Sequence, residues 1–66
     1  MEIRLNGEPK QVEAGATIRR LLEGLGVPSR NVVVEHNGEI LEECDLSRAV
    51  LREGDTLEVV RFVGGG

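Results

Sequence analysis

Three glycines close the chain, Gly64-Gly65-Gly66, and the group they expose to chemistry is the carboxylate of Gly66. A carboxylate is a poor electrophile, so it reacts only after another catalyst gives it a leaving group. Glycine suits that task. It has no Cβ, takes backbone angles closed to other residues, and leaves the acyl carbon unshielded. Three extended residues reach about 10 Å, enough to enter a narrow channel in a second protein. The competing reading of a terminal glycine run is a passive tail or a cloning remnant. Here the run follows directly on an apolar stretch, with no serine-rich linker or tag between them. Gly66 is therefore the reactive position, with Gly65 and Gly64 giving it access.

Other reactive side chains are sparse. Cys44 is the single cysteine and stands among Glu42, Glu43 and Asp45, whose charges oppose thiolate formation. It reads as a half-buried structural thiol. His36 lies beside a turn with no second ligand at metal spacing, so it reads as a loop histidine, and no metal site is expected. Glu42-Glu43 reads as a solvated acidic pair, and Lys10 suggests no chemistry. No residue is assigned a catalytic role.

The elements that must position the tail follow from periodicity. Met1, Ile3 and Leu5 alternate with Glu2 and Arg4, the pattern of a half-buried strand. Asn6-Gly7 predicts a tight hairpin turn into a second strand over Glu8 to Glu13, where Pro9 requires a sheet edge and Val12 points inward. Thr17 caps a predicted helix whose stripe is Ile18, Leu21, Leu22 and Leu25; Gly26 and Pro28 end it. Val32-Val33-Val34 predicts a well-buried strand, and Asn37-Gly38 a second hairpin into Glu39-Ile40-Leu41. Asp45 is expected to open one helical turn through Leu46, Val50 and Leu51. Gly54-Asp55 leads into the longest strand, Thr56 to Val63, which runs straight into the glycines.

Two hairpins flank one helix, and the last strand has no hairpin partner adjacent in sequence. It pairs most economically with the first strand at the sheet centre. The expected class is α+β: a β-grasp, with a mixed sheet of four to five strands curled around one helix. Residues 1–63 form the domain and 64–66 a flexible tail. Alternation places Val60 and Phe62 on the face opposite Leu57, Val59 and Val63. That pair, with Arg61 beside it, is a candidate docking patch next to the tail. For Phe62 the sequence leaves two placements open, outward or folded over an edge of the core.

Size and charge narrow the function. With 66 residues the chain makes one small domain, and such a domain buries only about 60% of its unfolded surface. It has little room for a ligand pocket of roughly 300 Å³ or more, which disfavours a self-sufficient enzyme. Twelve acidic residues against eight basic ones give a net charge of −4. That disfavours nucleic acid and suits a basic protein partner. Without a signal-peptide pattern or a long apolar run, the chain reads as cytoplasmic, away from membranes, and monomeric when free.

Taken together, these segments resemble the ThiS family, the ubiquitin-like sulfur carriers of thiamin biosynthesis. The resemblance covers essentially the whole chain. It is carried by Asn6-Gly7, the helix from Thr17-Ile18 to Leu25, and Val34-Glu35-His36-Asn37-Gly38-Glu39-Ile40. Glu53-Gly54-Asp55, Leu57-Glu58-Val59-Val60 and the terminal Gly65-Gly66 complete it. The family requires only two glycines, which makes Gly64 a spacer. The resemblance implies that a ThiF-like adenylyltransferase uses ATP and Mg to convert the Gly66 carboxylate to an acyl-adenylate. It implies that a sulfur donor, such as a cysteine desulfurase carrying a persulfide, then displaces AMP. The resulting thiocarboxylate delivers sulfur to a ThiG-like thiazole synthase. The carrier itself binds no cofactor and is a cosubstrate. Two rivals use the same terminus: the small subunit of molybdopterin synthase, and a ubiquitin-like modifier joined to lysine through Gly66. Short length and a single aromatic residue favour the thiamin branch. A β-grasp interaction module with a passive tail is the remaining class.

Overall fold

Residues 1–28 and 30–62 are described by the structure, a computed structural model. Strand β1 (Glu2–Leu5) turns through Asn6 and Gly7, whose φ angles of 50° and 82° are both positive, into β2 (Glu8–Gln11). Two consecutive positive φ angles are what a two-residue hairpin turn demands, and Asn-Gly meets that at little cost. The pairing runs from Leu5 opposite Glu8 to Glu2 opposite Gln11, with Ile3 buried. Strand β2 stops short of the predicted Glu13. Val12 has left the strand but donates its N–H to the Met1 carbonyl at 2.8 Å and packs against the core.

Helix α1 (Ile18–Gly24) begins where Thr17 Oγ accepts from the Arg20 N–H at 3.1 Å. The Ile18 and Arg19 amides, orphan donors of the first turn, find the Ala49 and Leu46 carbonyls at 3.0 and 2.9 Å. The helix N-terminus is thus stitched to the loop before the last strand. Ile18 and Leu22 are fully buried and Leu21 partly so. Leu25 departs from the expected stripe. It sits at the C-cap, past the seven-residue helix, and is 40% exposed as the chain turns left-handed at Gly26 (φ 74°).

Strand β3 (Val32–His36) pairs antiparallel with β4 (Glu39–Leu41) across Asn37-Gly38, whose φ angles are again both positive. The three valines are not uniformly buried. Val34 is buried. Val33 is intermediate because the sheet is covered on one face only and it points to the other. Val32, on the inner face, packs against the core but sits at the strand end and is only partly covered. The turn after β4 is a 3-10 turn over Glu43–Asp45. Asp45 closes it, its carboxylate accepting the Glu42 N–H at 3.3 Å, and its carbonyl opens the expected next turn by accepting the Arg48 and Ala49 N–H at 3.0 and 2.9 Å. Leu46 and Leu51 enter the core, while Val50, expected with them, is exposed and bridges to Thr17.

The last strand, β5 (Thr56–Arg61), lies at the sheet centre, parallel to β1 and antiparallel to β3, in the order β2-β1-β5-β3-β4. Val63, the predicted end of that strand, lies outside the described residues. This mixed five-stranded sheet on one helix is a β-grasp. Its core is Ile3, Ile18, Leu22, Val34, Leu46, Leu51 and Leu57.

Both hairpin asparagines also reach across to β5. Asn6 Oδ1 accepts the Val59 N–H and Asn37 Oδ1 accepts the Thr56 N–H, each at 2.8 Å. Beside Asn37, the His36 Nε2–H donates to Asp55 Oδ2 at 2.8 Å, because an ionised carboxylate can only accept. Asp55 also accepts from the Arg52 N–H at 2.9 Å and from Asn37 Nδ2 at 3.2 Å. His36 is therefore the last residue of β3 and a hydrogen-bond partner of the β5 entry turn, where a loop histidine was expected.

Burial alone would raise the Asp55 pKa. The hydrogen bonds from His36, Arg52 and Asn37, with the positive charge His36 can carry, outweigh it and hold the carboxyl below its ordinary value. A folded pKa below the unfolded one means that this stabilisation is complete above the unfolded value, about pH 4. It is lost as pH falls through the folded value. Asp55→Asn should therefore cost roughly 1–3 kcal/mol near neutrality. The gap to the parent protein should close below about pH 4. Thermal melts across that range test this, and parallel curves down to acid pH would contradict it.

Candidate functional site

The chain leaves the described structure from the centre of the sheet. Strand β5 delivers Phe62 next to Asn31, whose carbonyl accepts the Phe62 N–H at 2.8 Å. Asn31 holds a positive φ of 60° there. Gly64, Gly65 and Gly66 lie outside the described residues, so the site is built from what stands immediately before them.

Residues directly opposite in antiparallel strands share a face. Leu57 and Val59 look inward, Leu57 fully buried and Val59 packed against the core. Glu58, Val60 and Phe62 therefore look outward. Val60 is 55% exposed and Phe62 57%, which settles the outward placement of the aromatic ring. Arg61 is exposed and pairs with Val32 in the ladder, on the alternate side from Val60.

The register adds residues that the sequence reading missed. Val33 lies opposite Val60, and Ile40, 68% exposed, lies opposite Glu35 on the same outer face. Val33, Val60 and Phe62 so form an apolar area at the end of the sheet from which the chain exits, with Ile40 one row away beside Glu35 on the same face. The signal for Ile40 was present in the two-residue Asn37-Gly38 turn. Such a turn pairs His36 with Glu39 and hence Glu35 with Ile40.

Elsewhere the chemistry is modest. Cys44 is exposed, not half-buried, because the 3-10 turn points it away from Leu46 and the core. Its Sγ lies 3.9 Å from Glu42 Oε2. Glu42, Cys44 and Asp45 bring their ligand atoms within 4.8 Å of one another on this open turn. Lys10 lines a groove of about 260 Å³ between β2 and α1, with Val12, Arg20, Leu21 and Leu25. That groove is open to solvent, and its charged lining residues Lys10, Glu13 and Arg20 make no hydrogen bond or ion pair with one another. Among the described residues, no helix is long and apolar enough to cross a membrane.

A sequence model of the ThiS family matches residues 3–66. The chain is 47% identical over 66 residues to a thiazole synthase of Magnetococcus marinus, covering all of this chain and 20% of that protein. It therefore spans about a fifth of that relative's length. It is 40% identical over 62 residues to the sulfur carrier protein ThiS of Thermus thermophilus, covering 94% of this chain and 95% of that one. Among solved structures it resembles the crystal structure of the thiamine biosynthesis protein ThiS from Geobacter metallireducens. That likeness has a TM-score of 0.83 and 35% identity, over the full length of both chains.

Proposed function

The chain belongs to the ThiS family, and from that premise we propose that it is a cytoplasmic sulfur carrier of thiamin biosynthesis whose cargo rides on the Gly66 carboxylate. The observation that carries this reading is the extent of the family match, which runs through Gly65 and Gly66. The chemistry is divided. A ThiF-like adenylyltransferase, with ATP and Mg, makes the acyl-adenylate. The outer sulfur of a persulfide donor displaces AMP to give an acyl disulfide, and a second thiol cleaves its S–S bond to leave the thiocarboxylate. The carrier contributes the acyl carbon and no catalysis. Gly65 and Gly64 give the terminus its reach into the partner's nucleotide site.

Docking falls to the outer sheet end. Val60 and Phe62 present apolar area just before the tail, while Arg61, exposed on the other side of the same strand end, is available to an acidic group on the partner. The thiocarboxylate is consumed by a ThiG-like thiazole synthase. The Magnetococcus marinus relative, named as a thiazole synthase, contains a match to this whole chain within one polypeptide, which supports that partnership.

The test is intact-mass analysis after incubation with adenylyltransferase, Mg-ATP, a persulfide donor and a thiol reductant. The expected product is heavier by one oxygen-to-sulfur exchange, located at Gly66. A terminus left as carboxylate, with enzyme and donor competent on another carrier, overturns the proposal. An isopeptide to lysine would make the protein a modifier instead.

A further inference from the structure

In the ladder between β3 and β5, Glu35 stands directly opposite Glu58. Both look outward, with their Cβ atoms about 5 Å apart by strand geometry. Like charges placed so destabilise a sheet. The pair is also set in apolar surroundings: Ile40 flanks Glu35 on β4, and the Val33–Val60 pair is the next outward pair along the ladder. Among the described residues neither carboxylate makes a salt bridge. Arg4, on the same face beside Thr56, directs Nη1 to the Gly7 carbonyl at 3.1 Å, and Arg19 pairs with Glu23 on the helix. The free domain thus sets two acidic residues opposite one another beside its apolar area, with no ion pair to either among the described residues.

Resting on the sulfur-carrier reading above, we infer that this face is completed by an arginine of the thiazole synthase. That arginine enters between Glu35 and Glu58 while Ile40, Val33 and Val60 exclude water around it. A planar guanidinium presents several donors in a fixed fork and can span two carboxylates, which a lysine ammonium does less well. Repulsion present in the free carrier and relieved in the complex adds to binding without stabilising the fold. The synthase is the chosen occupant because a relative carries this domain and bears that enzyme's name within one chain.

Glu35→Gln and Glu58→Gln, made in the full chain, separate these effects. Each should keep or raise the melting temperature while weakening binding to the same organism's thiazole synthase roughly tenfold or more. Each should also flatten the salt dependence of that binding. Val60→Ala should weaken binding with the salt dependence intact. A lowered melting temperature in the glutamine variants would refute the repulsion. Unchanged affinity and salt dependence, with Val60→Ala still weak, would make the pair ordinary surface charge. Weakening confined to the adenylyltransferase would reassign the occupant and overturn the inference. The mass gain at Gly66 is measured separately, so the sulfur-carrier reading stands or falls without reference to these variants.

Discussion

A chain lacking Gly66 is expected to melt at the temperature of the full-length protein and to gain no sulfur. The truncated chain still ends in a glycine carboxylate, now that of Gly65, so the chemistry of the reacting group is unchanged. What changes is its position, by about 3.4 Å along an extended chain. A misplacement of about 1 Å can cost on the order of a hundredfold in a positioned reaction, so adenylation should fall by at least that factor. Stability should not follow. The core residues lie between Ile3 and Leu57, and the last described strand ends at Arg61. Deleting Gly64 shortens the tail equally while keeping Gly65-Gly66, and should produce a similar loss if reach is what the partner reads. Restoring a glycine upstream should then recover activity. Sulfur transfer at the full rate from the Gly66 deletion would show that reach is not the determinant. Loss of folding would show that the tail belongs to the body.

The parts of this fold that were legible are those written in neighbouring residues. Asn6-Gly7 and Asn37-Gly38 announce positive φ angles by their own chemistry, and Thr17 announces its cap. Alternation along β5 put Val60 and Phe62 on one face, but only the folded sheet decided between an outward Phe62 and one laid over the core edge. Features set by partners distant in sequence were not legible. The two turn asparagines also hold β5 from either side, and those bonds span 53 and 19 residues. His36 looked unemployed because its acceptor, Asp55, lies 19 residues away. The Glu35–Glu58 pair needs the β3–β5 register to be seen at all. Local composition misled where an element ended early. Leu25 continues the helical period but falls past the last turn, and Cys44 follows a strand yet rides an exposed turn. The terminus proposed to react was read from glycine chemistry and family resemblance, and the sheet shows only where the chain before it ends.

Leu57→Ala should abolish sulfur loading although the substituted residue lies on the face opposite Val60 and Phe62. Leu57 is fully buried, stands beside Leu5 on β1 and His36 on β3, and its carbonyl accepts the Asn6 N–H at 2.8 Å. Truncating a buried leucine costs about 2–5 kcal/mol once the residual cavity is included. A domain of this length has a total stability of roughly 3–10 kcal/mol, so the loss removes much or all of it. The expected fall in melting temperature is about 10–30 °C, read by circular dichroism. Val60, Phe62 and the three glycines remain present in that variant, and only their arrangement is lost. If the folded sheet end is what the activating enzyme recognises, loading by mass should fall in step with the folded fraction and return when temperature is lowered. A ten-residue peptide beginning at Leu57 should then be a poor substrate as well. Efficient loading of the unfolded variant or of the peptide would mean that the enzyme reads the tail alone. The β-grasp body would in that case serve only later, at the point where sulfur is handed on.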